Sequence, residues 1–405
     1  MKPFFLSLCL CGVFSPLVLA QETAKSGYEN LVAAGKSISL KSGEDGRPTA
    51  REPIASDAEN LRRQRLGVAR NAPALKLLRE ALTQKIEIPL PKSQEDINLT
   101  FPSFGTFREL ARQLRQESDV RLADGDAVGA FESRLTGLQL GAAIARDAPH
   151  IHFLTGIATS AVARADIGKV VAKLDAAQIR AGLEKLRQID ASHPTLISSL
   201  RVEQEIVTRL SLQTLEQTRN SAEARDFMAS PEGKREMAKH PEMRAWAELT
   251  PDTLKTQIAA GFDAVIAHES KAYSLSRKGA FPSSGNPLVE VTMDIFRSPG
   301  GRFSYERHRV QSLLLQSALE LRAIKLETGA YPVTFEAPID PFSNGKPLVY
   351  AREGDKYRLY SVGPDGRDDG GSEIQTLETD PDTGITKVSE RLQATSYGDI
   401  LAPIF

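Results

Sequence analysis

The chain has 405 residues, 41% of them apolar and 25% charged, and its 51 basic and 52 acidic side chains leave a formal charge of −1. Such a balance gives no support to binding driven by bulk charge, so nucleic-acid and anionic-membrane roles are excluded as first readings. The length admits one to three domains, and the two cysteines, Cys9 and Cys11, both fall within the first twenty residues.

Those twenty residues carry one cation, Lys2, and an apolar run from Phe4 to Leu19 interrupted only by Ser7, Gly12, Ser15 and Pro16. The pattern reads as a secretory leader (1–20) with cleavage after Ala20, a mature chain starting at Gln21, and a periplasmic or secreted location. The run is too short and too broken to anchor the protein. Leu8 and Leu10 precede the cysteines, where lipid attachment requires a small residue. Removal of the leader takes the formal charge to −2 and leaves no cysteine, so no disulfide is available and stability must come from burial. No later segment offers an apolar membrane span.

Residues 21–53 are polar and rich in Gly, Ser and Lys, and the Gly43–Pro48 stretch is turn-prone; they read as a flexible lead-in. Residues 54–280 read as a helical array. Ser56 and Glu59 set a capping box, Pro73 is expected to break the helix that follows, and Pro89 and Pro91 end the next segment. From Phe107 to Asn220 amphipathic stretches alternate with short breaks at Ala123–Asp126, Asp147–Pro149, Asp175 and Ser192–Pro194, which predicts four or five antiparallel neighbours. Val128, Phe131, Leu135, Leu138 and Ala142 form one buried stripe. Leu154, Ile157, Ala158, Ala161, Val162 and Ala165 form another, of small residues on a central helix. The pair 107–123 and 127–145 resembles a tetratricopeptide-type hairpin, but without a shared period an irregular α-solenoid is the better description. Thr250–Thr253 starts a further helix with Pro251 at its first position, and Trp246 ahead of it is expected to pack in a core. Turn clusters in 281–301 mark a connection. Residues 302–405 begin with a helix from about Tyr305 to Glu327, stopped by Gly329, and continue into a β-hairpin whose alternating residues are Leu348, Tyr350, Tyr357, Leu359 and Ser361, turning at Gly354-Asp355.

Within that last unit, Leu321–Pro332, Asp340-Pro341-Phe342, Gly345–Tyr350 and Tyr357–Gly366 resemble the globular end of the type II secretion major pseudopilins. The resemblance covers about an eighth of the chain. It implies a long helix, a Tyr-Pro turn, a small antiparallel sheet and a nearby calcium site. The family's N-terminal processing site and assembly helix are missing, so the resemblance does not imply a filament subunit. The whole layout is similar to exported bacterial envelope proteins of helical build. The fold expected is therefore mainly α, an irregular helical array followed by a small α+β unit.

Few residues invite chemistry. Asp365, Asp368 and Asp369, set among Gly366, Gly370 and Gly371, have the oxygen density that calcium favours; the competing reading is a solvated Asp/Gly turn. The pseudopilin ligands lie farther along, so they do not transfer to these positions. Asp380 and Asp382 are a weaker pair. His150 and His152 stand two apart, which on a helix puts them on different sides and disfavours a shared zinc. His193, His240, His268 and His308 are scattered. Glu132, Glu203 and Glu205 are the carboxylates to test for acid–base work, which needs two groups to converge in a pocket; on a helix Glu203 and Glu205 diverge. No nucleophile elbow, phosphate loop or mature thiol is present. The favoured reading is a non-catalytic envelope protein that binds a protein or polymer partner. Its rivals are an extracytoplasmic hydrolase of cell-wall or glycan material and an accessory part of a secretion or pilus-like machine.

Overall fold

The computed structural model describes residues 26–39, 57–240, 248–276, 299–379, 386–389 and 392–403. The leader, Ser56, Trp246 and most of the expected 281–301 connection lie outside them. The chain is mainly helical, with a small antiparallel sheet near its C-terminus. No described helix is long and apolar enough to cross a membrane.

The lead-in contains a helix that was not expected. Ser26 and Glu29 form a capping box, with Glu29 N–H donating to Ser26 Oγ at 3.2 Å and Ser26 N–H to Glu29 Oε2 at 2.9 Å, and they start α1 (Gly27–Lys36). Tyr28, Leu31 and Ala34 drop into a core with Leu75, Leu78, Phe107, Leu110 and Leu114. The partners come from α2 (Asp57–Leu82) and α3 (Gln94–Ala123). Helix α2 runs through Pro73 instead of breaking there. Burial of Ala74, Leu75, Leu78 and Ala81 immediately beyond the proline outweighs the one backbone hydrogen bond it removes. Helix α3 begins at Gln94, well ahead of Phe107, because Ser93 and Asp96 supply a second capping box.

Helices α4 (Ala127–Ala145) and α5 (His150–Arg164) form the centre of the body. Phe131, Leu135 and Leu138 are buried as expected, whereas Val128, in the first turn of α4, is 44% exposed. The buried side of α5 is rotated from the stripe of small apolar residues: Phe153, Thr155, Gly156, Ile157, Thr159, Ser160 and Ala163 face inward. Polar residues fit there because Thr155 and Thr159 donate their hydroxyls to the carbonyls four residues back, at 2.7 and 2.8 Å, and so arrive in the core already satisfied.

The array continues through α6 (Ile167–Val171), α7 (Ala176–Ala191), α8 (Leu196–Asn220), α9 (Ala222–Ala229), α10 (Pro231–Lys239), α11 (Pro251–Glu269) and the single turn α12 (Tyr273–Ser276). It closes on α13 (Pro299–Thr328). Helix α13 is a wall common to two cores. Leu315, Leu319 and Ala323 pack with α4, α6 and α7, while Phe303, Val310, Leu314, Ala318 and Leu321 pack with the C-terminal residues. At the surface, Arg180 and Arg187 of α7 pair with Glu327 and Glu320 of α13 at 2.9 and 2.8 Å, contacts of small energetic weight.

Gly329, at φ +83°, ends α13. Tyr331 then packs edge-on against Tyr357 at 4.7 Å, and Tyr350 Oη donates to Pro332 O at 2.6 Å, which fixes the Tyr-Pro turn. Strands β1 (Val349–Glu353) and β2 (Lys356–Ser361) form the expected hairpin, with Glu353 opposite Lys356 and Gly354 at φ +62° taking the first turn position. A second hairpin joins β3 (Thr376–Thr379) to β4 (Thr386–Ser389). The tail returns as β5 (Ile400–Leu401), pairing with β2 on the side away from β1.

Candidate functional site

The polar residues least explained by packing lie along α13, where it meets the ends of α5 and α7. Arg164, in the last turn of α5, reaches across to α13. Its Nη1 donates to Gln311 Oε1 at 3.3 Å, its Nη2 to His308 Nδ1 at 3.4 Å, and its buried Nε has no hydrogen-bond partner. Burial lowers the guanidinium pKa to about 10, and the Asp190 carboxylate opposes this. Asp190 is itself engaged, accepting from Ser312 Oγ and, at 2.6 Å, from Gln316 Nε2. Among the described residues no carboxylate forms an ion pair with Arg164.

His308 lies against His193, ring centres 4.3 Å apart. Burial first, and then the charge of Arg164, hold His308 well below the ordinary histidine range. Burial also lowers His193, whose Nδ1 lies 3.0 Å from Pro194 O. Burial favours the neutral form of both rings, and the contact with the Pro194 carbonyl opposes it at His193. Two clefts flank this seam. One, of about 260 Å3, is lined by Asp190, His193, Tyr305, His308 and Ser312. The other, of about 480 Å3, is lined by Arg164, Arg307, Gln311, Leu314, Leu315 and Leu401 among others.

The carboxylates chosen from sequence do other work. Glu203 on α8 accepts the His150 backbone N–H at 2.8 Å. Helix α5 starts after Pro149 without a side-chain cap of its own, so Glu203 supplies the negative group that a helix N-terminus favours. Burial raises the Glu203 pKa and the His150 bond opposes that rise. Glu205 is exposed and faces Arg209 at 3.8 Å, and Glu132 pairs with Lys185 at 2.5 Å. His150 and His152 diverge: the first stacks on Phe153 and sits 3.0 Å from Ser199 Oγ, while the second packs edge-on against Phe104 at 4.7 Å. Burial takes both to about 4.

The Asp/Gly loop is organised by its own backbone. Asp365 accepts from Arg367 N–H at 3.1 Å, and Asp368 accepts from Tyr360 Oη at 2.8 Å and Gly370 N–H at 3.0 Å. Asp369 contributes its N–H, at 3.5 Å, to Asp399, which also accepts from Gly371 N–H at 2.7 Å. Among the described residues no group of three or more His, Cys, Asp or Glu is placed to hold a metal ion; Asp380 and Asp382 lie outside those residues. Asp399 and Asp340 were not candidates on sequence. Asp340 is buried and accepts from Phe342 N–H, Val362 N–H and Ser361 Oγ, each at 2.9 Å, tying the Asp-Pro turn to the end of β2. Burial raises it and those three bonds hold it back. Glu269, also raised by burial, lies 3.5 Å from Arg302, which in turn pairs with the buried Glu306 at 2.7 Å and so joins α11 to α13.

No known family model, curated protein or solved structure matches the chain.

Proposed function

We propose that this is an exported, non-catalytic envelope protein whose helical array binds a partner or ligand, closed by a C-terminal unit that resembles the pseudopilin module. The observation that carries the reading is the employment of its perturbed carboxylates. Glu203, Glu269, Asp340 and Asp399 all have raised pKa values, the usual mark of a general acid or base. Each is bound to a helix N-terminus, an arginine or loop N–H groups. An acid–base pair for glycan hydrolysis would need two carboxyl groups facing one cleft, and these four serve separate parts of the fold. Export rests on the leader sequence.

Two measurements test the proposal. In fractionated cells the chain should be recovered outside the cytoplasm with Gln21 as its first residue; intact chain in the cytosol would refute export. The purified mature protein should release no product from cell-wall glycan. Glu203→Gln should lower stability by about 1 kcal/mol, the ordinary cost of weakening a helix cap. Turnover that disappears in Glu203→Gln or Glu132→Gln would overturn the non-catalytic reading.

A further inference from the structure

Two arginines of the body, Arg134 buried and Arg164 half-buried, are satisfied differently. Arg134 is 1% exposed, and its Nε donates to Ser118 Oγ at 2.9 Å, its Nη1 to Ala165 O at 2.8 Å and its Nη2 to Asp119 Oδ1 at 2.7 Å. Every face of that guanidinium is met, and one partner is a carboxylate. Arg164 has two long contacts to neutral groups and a buried Nε with none. A cation taken out of water without a counter-charge is strongly unfavourable, and a fold that retains one without need of it would be improved by an apolar residue of the same size. The guanidinium lies at the edge of the 480 Å3 cleft between α5, α13 and β5, within the size range of small-ligand sites, roughly 300–1,000 Å3. Arg307, one turn before Gln311 on α13, lines the same cleft and lies over the Phe303 ring at 5.6 Å. The remaining walls are largely apolar, with Ile167, Leu314, Leu315 and the partly exposed Leu401. Asp166 also lines it, but that carboxylate is held by Arg115 and, at 3.8 Å, by Lys169.

We infer that this cleft receives the carboxylate of a small amphipathic ligand, with the half-buried Arg164 as its counter-charge, Arg307 as a second donor and the Leu315 to Leu401 wall against the ligand's apolar part. A planar guanidinium fork matches a carboxylate in two parallel hydrogen bonds. The apolar walls select against a compact, multiply charged anion. The inference rests on the binding reading above and gives it a ligand class. The same chemistry is carried by an aliphatic acid and by a peptide C-terminus.

The test is calorimetric titration of the purified mature chain with octanoate and with N-acetyl-alanyl-leucine, each beside its neutral amide. At least one acid should bind, with its amide weaker by about tenfold or more, as expected for loss of a charge-assisted pair. Arg164→Met should weaken the acid by about tenfold or more, and Arg307→Gln by about threefold to tenfold, with folding checked by circular dichroism. Should Arg164→Met fail to fold, Arg307→Gln carries the test alone. Binding of octanoate only assigns the site to aliphatic acids, and binding of the dipeptide only assigns it to peptide termini; either supports the inference. No saturation by either acid up to about 10 mM, equal affinity for acid and amide, or full affinity in the folded arginine variants would overturn it. Hydrolysis of the bound dipeptide would leave the receptor standing and remove the non-catalytic reading, whereas absence of binding would remove the receptor alone.

Discussion

In the helical body one close crossing depends on side chains that are absent. A Cβ on Gly141 would come 2.7 Å from Gly156 O, and one on Gly156 would come 2.4 Å from Gly141 O, so α4 and α5 cross backbone to backbone. In the C-terminal unit the comparable positions are held by carboxylates, Asp340 gathering three donors and Asp399 two. Long helices bury enough apolar area to be joined largely by shape, and polar residues inside them, such as Arg134, are met by neighbouring helices. Two- to six-residue strands and their turns bury less, and directional bonds to loop N–H groups fix what packing leaves open. Each half is therefore vulnerable to a different perturbation.

Acid should separate the two halves most strongly. His150 and His152 have folded pKa values of about 4 against 6.5. The unfolded chain therefore takes up their protons first. The stability they allow is complete above pH 6.5 and drains away as pH falls toward 4, by about 3 kcal/mol for each ring at pH 4. Asp340 acts in the opposite sense: its folded pKa is raised above 3.8, so acidification from that folded pKa down toward 3.8 favours the folded form. Hydrogen exchange at stepped pH should show α5 and its neighbours opening before the β1–β2 hairpin. The reverse order would break the comparison.

Substitutions sharpen it. Asp340→Ala strands three buried donors and should cost about 4 kcal/mol, read by denaturant unfolding, with Asp340→Asn losing less because one acceptor oxygen remains. Gly156→Val in the body meets a carbonyl and the neighbouring Ala145 instead of a yielding side chain, and should cost about 3 kcal/mol by overpacking. A loss below about 0.5 kcal/mol at either site would show that the assigned contact does not hold that half together. Calcium should have the smallest effect. Asp368 and Asp399 already accept from fixed donors, so melting curves in calcium and in chelator should superimpose. A clear rise in Tm with calcium would assign Asp365, Asp368 and Asp369 as ligands.

Much of the fold was legible because its signals are local. Asp175 with Gln178, Thr250 before Pro251 and the Gly354-Asp355 turn each act within four residues, and the hairpin and most body helices follow from them. The same signal is present at Ser26 and Glu29 but is submerged in a polar, glycine-rich composition that hides α1 within the lead-in. Pro73 misled because its local cost is visible in sequence, whereas the burial that overrides it comes from α1 and α3. On α5 the rule that apolar residues mark the inward side failed because threonines can satisfy their own hydroxyls. The seam was illegible for a stronger reason: Arg164 meets His308 and Gln311 across 144 and 147 residues, and no spacing rule joins a lone arginine to a scattered histidine. Glu203 was visible as a carboxylate, but its task is set by where the next helix begins.

The most direct test is a matched pair of melting curves for Arg134→Met and Arg164→Met in the ligand-free mature chain. Arg134→Met should destabilise by about 3 kcal/mol, since it removes the buried cation from its pair with the part-exposed Asp119 and leaves Ser118 Oγ and Ala165 O without their donor. Arg164→Met should melt no lower than the wild type, because it replaces a charge that the fold itself does not use. A loss at Arg164 as large as that at Arg134 would mean the guanidinium is a structural member of the seam, and would contradict the account.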